Sequence, residues 1–339
     1  MMWLAWRRHR TMLVIAFGLV AALLAWMVLV AHWFDTTPVQ RTIESGGHVY
    51  QFRNFFTGPL IVRLPYQVEA INALLLMIPC LLGVLLGVPL VAGELSDHTN
   101  RLAWTQGTSR TRWLTTKWWV IGLPPLVAVA AVVLVTRWWS HHVIGTGIGF
   151  LDPPSNDLPG FNQFSPTKPS VFSVTGIVPV TYTLFAFALG TALGPLAKRV
   201  SLAAVGTVAI YGFALLVMVT TIRPILAPQT FLSDAPMATS PEYRQLFTTQ
   251  SDPWAIGTGF RFVPGFHSLP GASAGALGNH CNQTDNAGTC YTSDHIEHGT
   301  YYQPASNFWK LQWRESAIYL TMSVLLLGIG LFSVRRWRA

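Results

Sequence analysis

The chain has 339 residues, of which 51% are hydrophobic and only 11% are charged, and its formal net charge is +8. This composition excludes an ordinary soluble globular protein, because the apolar residues are too many and too clustered for an aqueous surface. The basic excess indicates membrane topology and contact with the lipid bilayer, and no nucleic-acid partner is expected.

Uncharged stretches define the candidate spans. A helix of about 20 residues crosses a hydrocarbon core of roughly 30 Å. The stretches of about this length that lack Asp, Glu, Lys and Arg are Met12 to Ala31, Ala70 to Ala92, Trp118 to Thr136, Val174 to Ala197, Leu202 to Ile222 and Ser316 to Val334. The first of them is too long for a secretory signal. The predicted fold class is therefore an all-α integral membrane protein with six transmembrane helices.

Charge placement predicts the orientation of these helices. With the N-terminus inside, the short cytoplasmic pieces hold 12 Lys or Arg residues against two acids. Because cytoplasmic loops are enriched in Lys and Arg, both termini are expected in the cytoplasm. The predicted parts are residues 1–11, a cytoplasmic segment; 12–222, helices one to five with internal loop 93–117; 223–315, an external domain; and 316–339, helix six with a basic tail.

The predicted spans carry no ionisable side chain, which disfavours an ion-coupled transporter, because such proteins need one at bilayer depth. The chain also lacks a G-x-x-x-x-G-K-[ST] phosphate loop, so energy for any pumping would have to come from elsewhere. Spans two and four contain small-xxx-small pairs, Gly83 with Gly87 and Gly190 with Gly194, which permit close helix approach.

Cysteines and histidines cluster in the last external segment. Cys281 and Cys290 flank turn-forming residues, and we predict a disulfide there, with two unpaired thiols as the alternative. His280, His295 and His298 could suggest a metal site. No further ligand stands at a fixed spacing, so surface histidines and no metal are expected.

The first internal loop with its flanks has the most specific pattern, GVPLVAGELSDHTNRLAWTQGTSRTRWLTTKWW. A Gly-Thr-Ser break divides it into two short helices, predicted over residues 95–106 and 111–117. Its arginines would face outward. The apolar side chains expected to lie against the membrane or a partner are Leu102, Ala103, Trp113 and Leu114. A solvated basic loop is the alternative, but these residues need a surface to bury against.

This loop resembles the coupling helix that joins spans two and three in the permeases of type-2 ABC transporters. The family pattern is a Glu, a Thr five positions later, a Ser-Arg pair, and a Lys entering the next span. The matching residues are Glu94, Thr99, Ser109, Arg110 and Lys117. The chain departs from the pattern at His98, where Gly is usual, and at Gly107-Thr108, where Pro is frequent.

Two other segments strengthen the resemblance. The N-terminal WLAWRRHR and the YQPASNFWKLQW before the last span are similar to an actinobacterial subgroup of these permeases. The resemblance implies that the N-terminal segment is an amphipathic connecting helix in the membrane interface. The residues expected to form its interfacial face are Trp3, Trp6, Arg7, Arg8 and Arg10.

The resemblance also implies a division of labour. A cytoplasmic ABC ATPase subunit would bind ATP and Mg, and two copies of this chain would form a homodimer around the translocation path. This chain would then have no catalytic residue and no cofactor, and it would not be an enzyme. The residues expected to contact or couple to the ATPase are Glu94, Thr99, Arg101, Ser109, Arg110, Arg112, Trp113 and Lys117.

The expected function is the permease of an ABC exporter in the bacterial plasma membrane, moving a hydrophobic or amphipathic compound. One alternative is a membrane-anchored sensory or binding protein with a disulfide-stabilised external domain. Another is an intramembrane or lipid-modifying enzyme that uses His295 or His298.

Overall fold

The computed structural model describes residues 2–36, 64–94, 109–145, 169–197, 199–233, 254–263, 273–283 and 287–336. The chain divides into two compact units. Unit one combines Met1–Gly149, Ser170–Met218 and Gln312–Ala339, and unit two combines Phe150–Pro169 with Val219–Leu311.

Six of the described helices are long and apolar enough to cross a membrane, which confirms the predicted number of spans. They are Arg10–His32, Ala70–Gly93, Arg110–Trp139, Val178–Ala197, Val200–Ile225 and Phe308–Arg336. The segment expected as a connecting helix is helical from Met2 and is continuous with span one, because α1 runs unbroken over Met2–Thr36. Its first turns contain neither Pro nor Gly, the residues that interrupt helices most often.

The remaining α-helices are α2 (Leu64–Leu82), α3 (Arg110–Lys117), α4 (Leu123–Gly145), α5 (Pro169–Phe172), α6 (Val178–Ala197), α7 (Val200–Val217), α8 (Arg223–Ile225), α9 (Ala274–Cys281), α10 (Ala287–Ser293) and α11 (Phe308–Arg336). Helical turns of π geometry continue spans two, three and five, at Gly83–Gly87, Pro89–Gly93, Trp118–Gly122 and Met218–Ile222. A short 3₁₀ turn, Ala305–Asn307, precedes α11.

Spans two and four approach each other through the glycine pairs that the sequence indicated. A Cβ added to Gly83 would lie 2.6 Å from the backbone of Ala186, and one added to Gly190 would lie 2.8 Å from the Gly83 carbonyl oxygen. Side chains at these positions would push the two backbones apart. Without a hydrophobic force between helices in lipid, such close van der Waals packing is what holds helices together.

Span six begins earlier than predicted. The helix starts at Phe308 instead of Ser316, so its first turns include Lys310, Arg314 and Glu315, which the sequence analysis assigned to the external domain. A search for uncharged stretches does not detect the beginning of a span where it carries charged residues, although the helix itself continues through them. The helix of span six therefore includes ionisable side chains that lie outside the uncharged stretch from Ser316 to Val334.

One glutamine of span six organises the entry to span four. The Oε1 atom of Gln312 accepts hydrogen bonds from the backbone N–H groups of Ile177 and Val178, each at 3.0 Å. Its Nε2 donates to the carbonyls of Phe172 at 3.2 Å and Thr175 at 3.1 Å. A fully buried amide thus satisfies four backbone groups around the start of α6, which otherwise leaves its first N–H groups without partners.

Gly176 makes room for this contact. Its φ of +69° is a left-handed conformation that residues with a Cβ rarely adopt. A Cβ there would also lie 2.6 Å from the Gln312 side-chain carbon Cδ. We call the set formed by Gln312 and the turn 172–178 the Gln312 clamp.

Unit two contains a three-stranded antiparallel sheet that the sequence analysis did not predict. Its order is β1 (Thr230–Ser233), β3 (Ile296–Gln303), β2 (Trp254–Phe262). Irregular loops with short helices were expected here. The short helices α9 and α10 are present, but β2 and β3 contain glycines that obscure the alternation by which a strand is identified.

The disulfide predicted between Cys281 and Cys290 is present and joins the end of α9 to α10. Two polar side chains hold the chain that follows span five. Gln303 Nε2 donates to the carbonyls of Pro224 at 3.1 Å and Ala227 at 2.8 Å, and Asn307 donates to Pro228 at 3.0 Å. The YQPASNFWKLQW segment therefore supplies buried amides at Gln303, Asn307 and Gln312.

Replacing Gln312 with Leu, which has a similar size but no polar atoms, should destabilise the protein. Four backbone groups would lose their partner, and each buried polar group left unsatisfied costs about 1–3 kcal/mol. We expect the melting temperature of the detergent-solubilised chain, followed by tryptophan fluorescence, to fall by several degrees. Gln229→Leu is the matched control, because Gln229 is exposed and its side chain donates to the Pro224 carbonyl at 3.0 Å. Equal melting temperatures for the two variants would contradict this role of the clamp.

Candidate functional site: the junction of spans two and three

The helix that opens span three begins with a well-defined cap. Ser109 has an extended backbone, and its Oγ accepts a hydrogen bond from the Arg112 N–H at 3.3 Å. A serine in this position satisfies one of the free N–H groups at a helix N-terminus. Helix α3 starts at Arg110, one residue before the predicted start. Ser109 was predicted to couple to an ATPase, and in the structure it caps this helix.

A buried ion pair joins the end of span two to the start of span three. Lys117 Nζ lies 2.5 Å from Glu94 Oε2, and the two side chains are only 7% and 10% exposed. The same ammonium group also lies 3.5 Å from the Leu90 carbonyl oxygen. Removing one member of a buried pair leaves an uncompensated charge, so the loss of either side chain would be strongly destabilising.

Trp113 and Leu114 complete the environment of this pair. The Lys117 ammonium lies 3.9 Å from the centre of a Trp113 ring, a cation–π geometry. Trp113 and Leu114 are 4% and 1% exposed within the chain itself. They were expected to lie against the membrane or a partner, and this expectation is wrong because the protein's own helices bury them. Leu102 and Ala103 lie outside the described residues.

The arginines of α3 differ in their surroundings. Arg110 is half-buried, and its Nη1 donates to the Arg335 carbonyl in the last turn of span six at 3.2 Å. Arg112, two residues further, is exposed. Among the described residues predicted for coupling, Ser109 and Arg112 are exposed, whereas Glu94, Trp113 and Lys117 are buried.

Several predicted residues lie outside the part of the chain that the structure describes. Thr99, Arg101 and the helix predicted over residues 95–106 lie outside the described residues. The side chains of Trp3, Trp6, Arg7 and Arg8 also lie outside them, although their backbone belongs to α1. Arg10 is described and exposed.

Sequence analysis missed a buried acid in the bundle. Glu315 has no exposed surface and accepts a hydrogen bond from the Tyr182 hydroxyl, which links span six to span four. The Tyr182 ring packs edge-on against Tyr319 with centroids 4.7 Å apart, and Phe185 packs against Tyr319 at 5.2 Å. A helical signal was available, because the buried positions of α11 recur with helical spacing: Leu311, Gln312, Glu315, Ser316 and Tyr319.

Span five also ends with a buried charge that the sequence analysis had placed in the external domain. Arg223 has no exposed surface, and its Nη1 donates to the Pro169 carbonyl at 3.3 Å.

The histidine-rich segment shows no shared metal-binding geometry among its described residues. The group of possible ligands in the described part of the chain is Cys281, Cys290 and Asp294. The two cysteines form the disulfide, so their sulfur atoms are not available as thiolates. His298 packs against the Phe260 ring with centroids 4.9 Å apart.

Six helices long and apolar enough to span a membrane, with glycine-mediated contact between two of them, are the features of a multi-pass α-helical membrane protein. A family model described as "ABC-2 membrane transporter related" matches residues 11–223, and the chain belongs to that family. It is an ABC-2-type permease, and this family implies association with an ATPase subunit. No curated protein and no solved structure matches the chain. The matched residues include spans one to four and most of span five, together with the ion pair.

Changing Lys117 to Met should strongly destabilise the protein, because Glu94 would be left as a buried charge without its partner. Breaking a buried pair in this way costs about 3–5 kcal/mol, whereas replacing both partners by apolar residues is often neutral. We therefore expect a lower melting temperature for Lys117→Met and recovery in the double variant Glu94→Leu with Lys117→Met. Arg261→Met is the control, since its pair with Glu297 is more exposed, at 37% and 21%, and such pairs contribute about 0–1 kcal/mol. A double variant as unstable as the single one would contradict this account.

Proposed function

We propose that this chain is the permease subunit of an ABC exporter in a bacterial plasma membrane. Two copies form a homodimer, and both termini lie in the cytoplasm. A separate ATPase subunit binds ATP and Mg on the cytoplasmic side and docks at the junction of spans two and three. The transported compound is hydrophobic or amphipathic.

The observation that carries this proposal is the buried Glu94–Lys117 pair, whose lysine lies on the same helix, α3, as the exposed Arg112. A partner that moves α3 must move the end of span two with it, because separating the pair would expose two charges to an apolar environment. The junction therefore has a contact surface and a stiff connection to the bundle. These are the two properties needed to convert the movement of a docked ATPase into movement of the spans.

The proposed substrate class is supported by a groove in unit one. A cavity of about 280 Å³ lies between spans one and two, and the side chains that line it include Leu19, Leu23, Trp26, Ile78 and Leu85. Such a lining suits a hydrocarbon group, whereas a charged group there would lose its hydration without gaining a partner.

The second candidate function is a membrane-anchored binding or sensory protein. It is favoured by unit two, in which a three-stranded sheet and a disulfide form a compact unit. The two functions differ in what the internal loop does. A binding protein would retain ligand recognition after residues 95–108 are scrambled, whereas an ATPase-coupled permease would lose transport.

Changing Arg112 to Glu should weaken docking of the ATPase. The test is co-purification of the tagged chain with an ABC ATPase encoded beside it, at low and at high salt. Because Arg112 is exposed, its replacement should leave the fold intact and reduce the retained ATPase several-fold, with the larger effect at low salt. Arg137→Glu is the control, since Arg137 is an exposed arginine near the other end of the same span. Transport by the purified chain without any ATPase would overturn the proposal.

A further inference from the structure

The last turn of span six lies beside the start of span three, although 225 residues separate them in the chain. The contact is the hydrogen bond from Arg110 Nη1 to the Arg335 carbonyl oxygen, at 3.2 Å. The last carbonyls of a helix lack partners within the helix, and a cation near them is favoured by the helix dipole. Arg110 therefore acts as a cap that fixes the end of α11 against α3.

This contact uses the backbone of Arg335 and leaves its side chain outside. Arg335 and Arg336 are both exposed, and the Arg336 guanidinium lies 4.4 Å from the centre of the Phe332 ring. Arg112 is exposed on the neighbouring helix. Two chain segments thus place three outward arginines at the same end of unit one.

The described acid beside α3 does not neutralise these arginines. Glu94 lies 2.5 Å from Lys117 and is buried with it, so its charge is already compensated. Arg112, Arg335 and Arg336 form a surface that we call the basic face, and an acidic surface would complement it.

The position of the basic face favours a protein partner over lipid. Trp119 is 70% exposed on span three, and exposed tryptophans of spans lie at the level of the lipid headgroups. Arg112 precedes Trp119 by seven residues, or about 10 Å of helix at 1.5 Å per residue. With Trp119 placed in the headgroup layer, which is about 5–8 Å thick on each side, Arg112 would lie on the aqueous side of that layer.

We propose that the end of span six is part of the ATPase-docking surface. Arg110 holds the basic face together, and the face binds an acidic surface of the ATPase subunit. This inference rests on the proposed function and extends it, because neither the coupling-loop pattern nor the family match includes span six. It also means that movement of the ATPase is passed to spans two, three and six together.

The first experiment tests the junction without any ATPase. Arg112 and Arg336 are replaced by Cys in a Cys80→Ala background, spin-labelled, and measured by pulsed electron resonance in nanodiscs. A narrow distance distribution is expected, and adding Arg110→Met should broaden it because the cap is lost. A broad distribution from the start, or one that Arg110→Met does not change, would overturn the inference and leave the proposed function standing.

The second experiment tests the partner. The double variant Arg335→Glu with Arg336→Glu keeps the backbone acceptor of Arg110, so the junction itself is preserved. Its affinity for the ATPase encoded beside the chain should fall about tenfold or more at low salt, with a smaller loss at high salt. Arg199→Glu is the matched control, because Arg199 is exposed at the turn between spans four and five, on the side predicted to be cytoplasmic.

The outcomes separate the two proposals. Equal affinities for the double variant and the Arg199 control would overturn the basic face as the docking surface. Restoration of ATPase binding to the double variant by anionic phospholipid would also overturn it, because the arginines would then be a lipid contact. An ATPase that fails to bind even the unaltered chain would overturn the proposed function together with this inference.

Discussion

Polar groups inside a membrane bundle have no water to bind, so a buried group without a partner in the protein is costly. This constraint explains the arrangement of the most buried polar residues here. Gln312 satisfies four backbone groups, Glu315 accepts from the Tyr182 hydroxyl, and Lys117 pairs with Glu94. Each of these links joins residues that are distant in sequence. Together they determine which helices are held to which.

The same constraint separates stiff contacts from those that can shift. Breaking a buried polar link leaves unsatisfied groups on both sides, so the joined helix ends stay together during any movement. Spans two and four, in contrast, meet at glycines through backbone packing, as at Gly83 and Gly190. Contacts of that kind lose only van der Waals energy when helices slide. A transport cycle would therefore repack the glycine interface and preserve the junction at Lys117 and Glu94.

Much of the membrane architecture could be predicted from sequence, because the length of an apolar stretch is a local property. The six spans, the paired cysteines and the glycine pairs were all predicted from residues that lie close together in the sequence. Span six was predicted too short, since Glu315 and its basic neighbours interrupt the uncharged stretch while the helix continues to Phe308. The sheet escaped prediction because β3 pairs with strands more than 30 residues away, and such pairing leaves no local signal.

The site was predictable in its residues but less so in their roles. The coupling pattern pointed to Glu94, Trp113 and Lys117, and they do meet. However, a sequence pattern does not show which side of a helix is covered, so residues expected to face a partner turned out to be buried. The contact of Arg110 with Arg335 depends on a carbonyl oxygen, and a backbone acceptor has no side-chain signature in any sequence.

Charge counting treats every basic residue of the internal loop as equivalent, but burial distinguishes them. Lys117 compensates a buried acid, Arg110 caps a neighbouring helix, and Arg112 remains exposed. The charge of Lys117 is compensated by Glu94, whereas Arg110 and Arg112 keep theirs, and Arg112 is the more exposed of the two. The number of arginines and lysines in the loop is consistent with topology, whereas their burial determines how many of them are available for coupling.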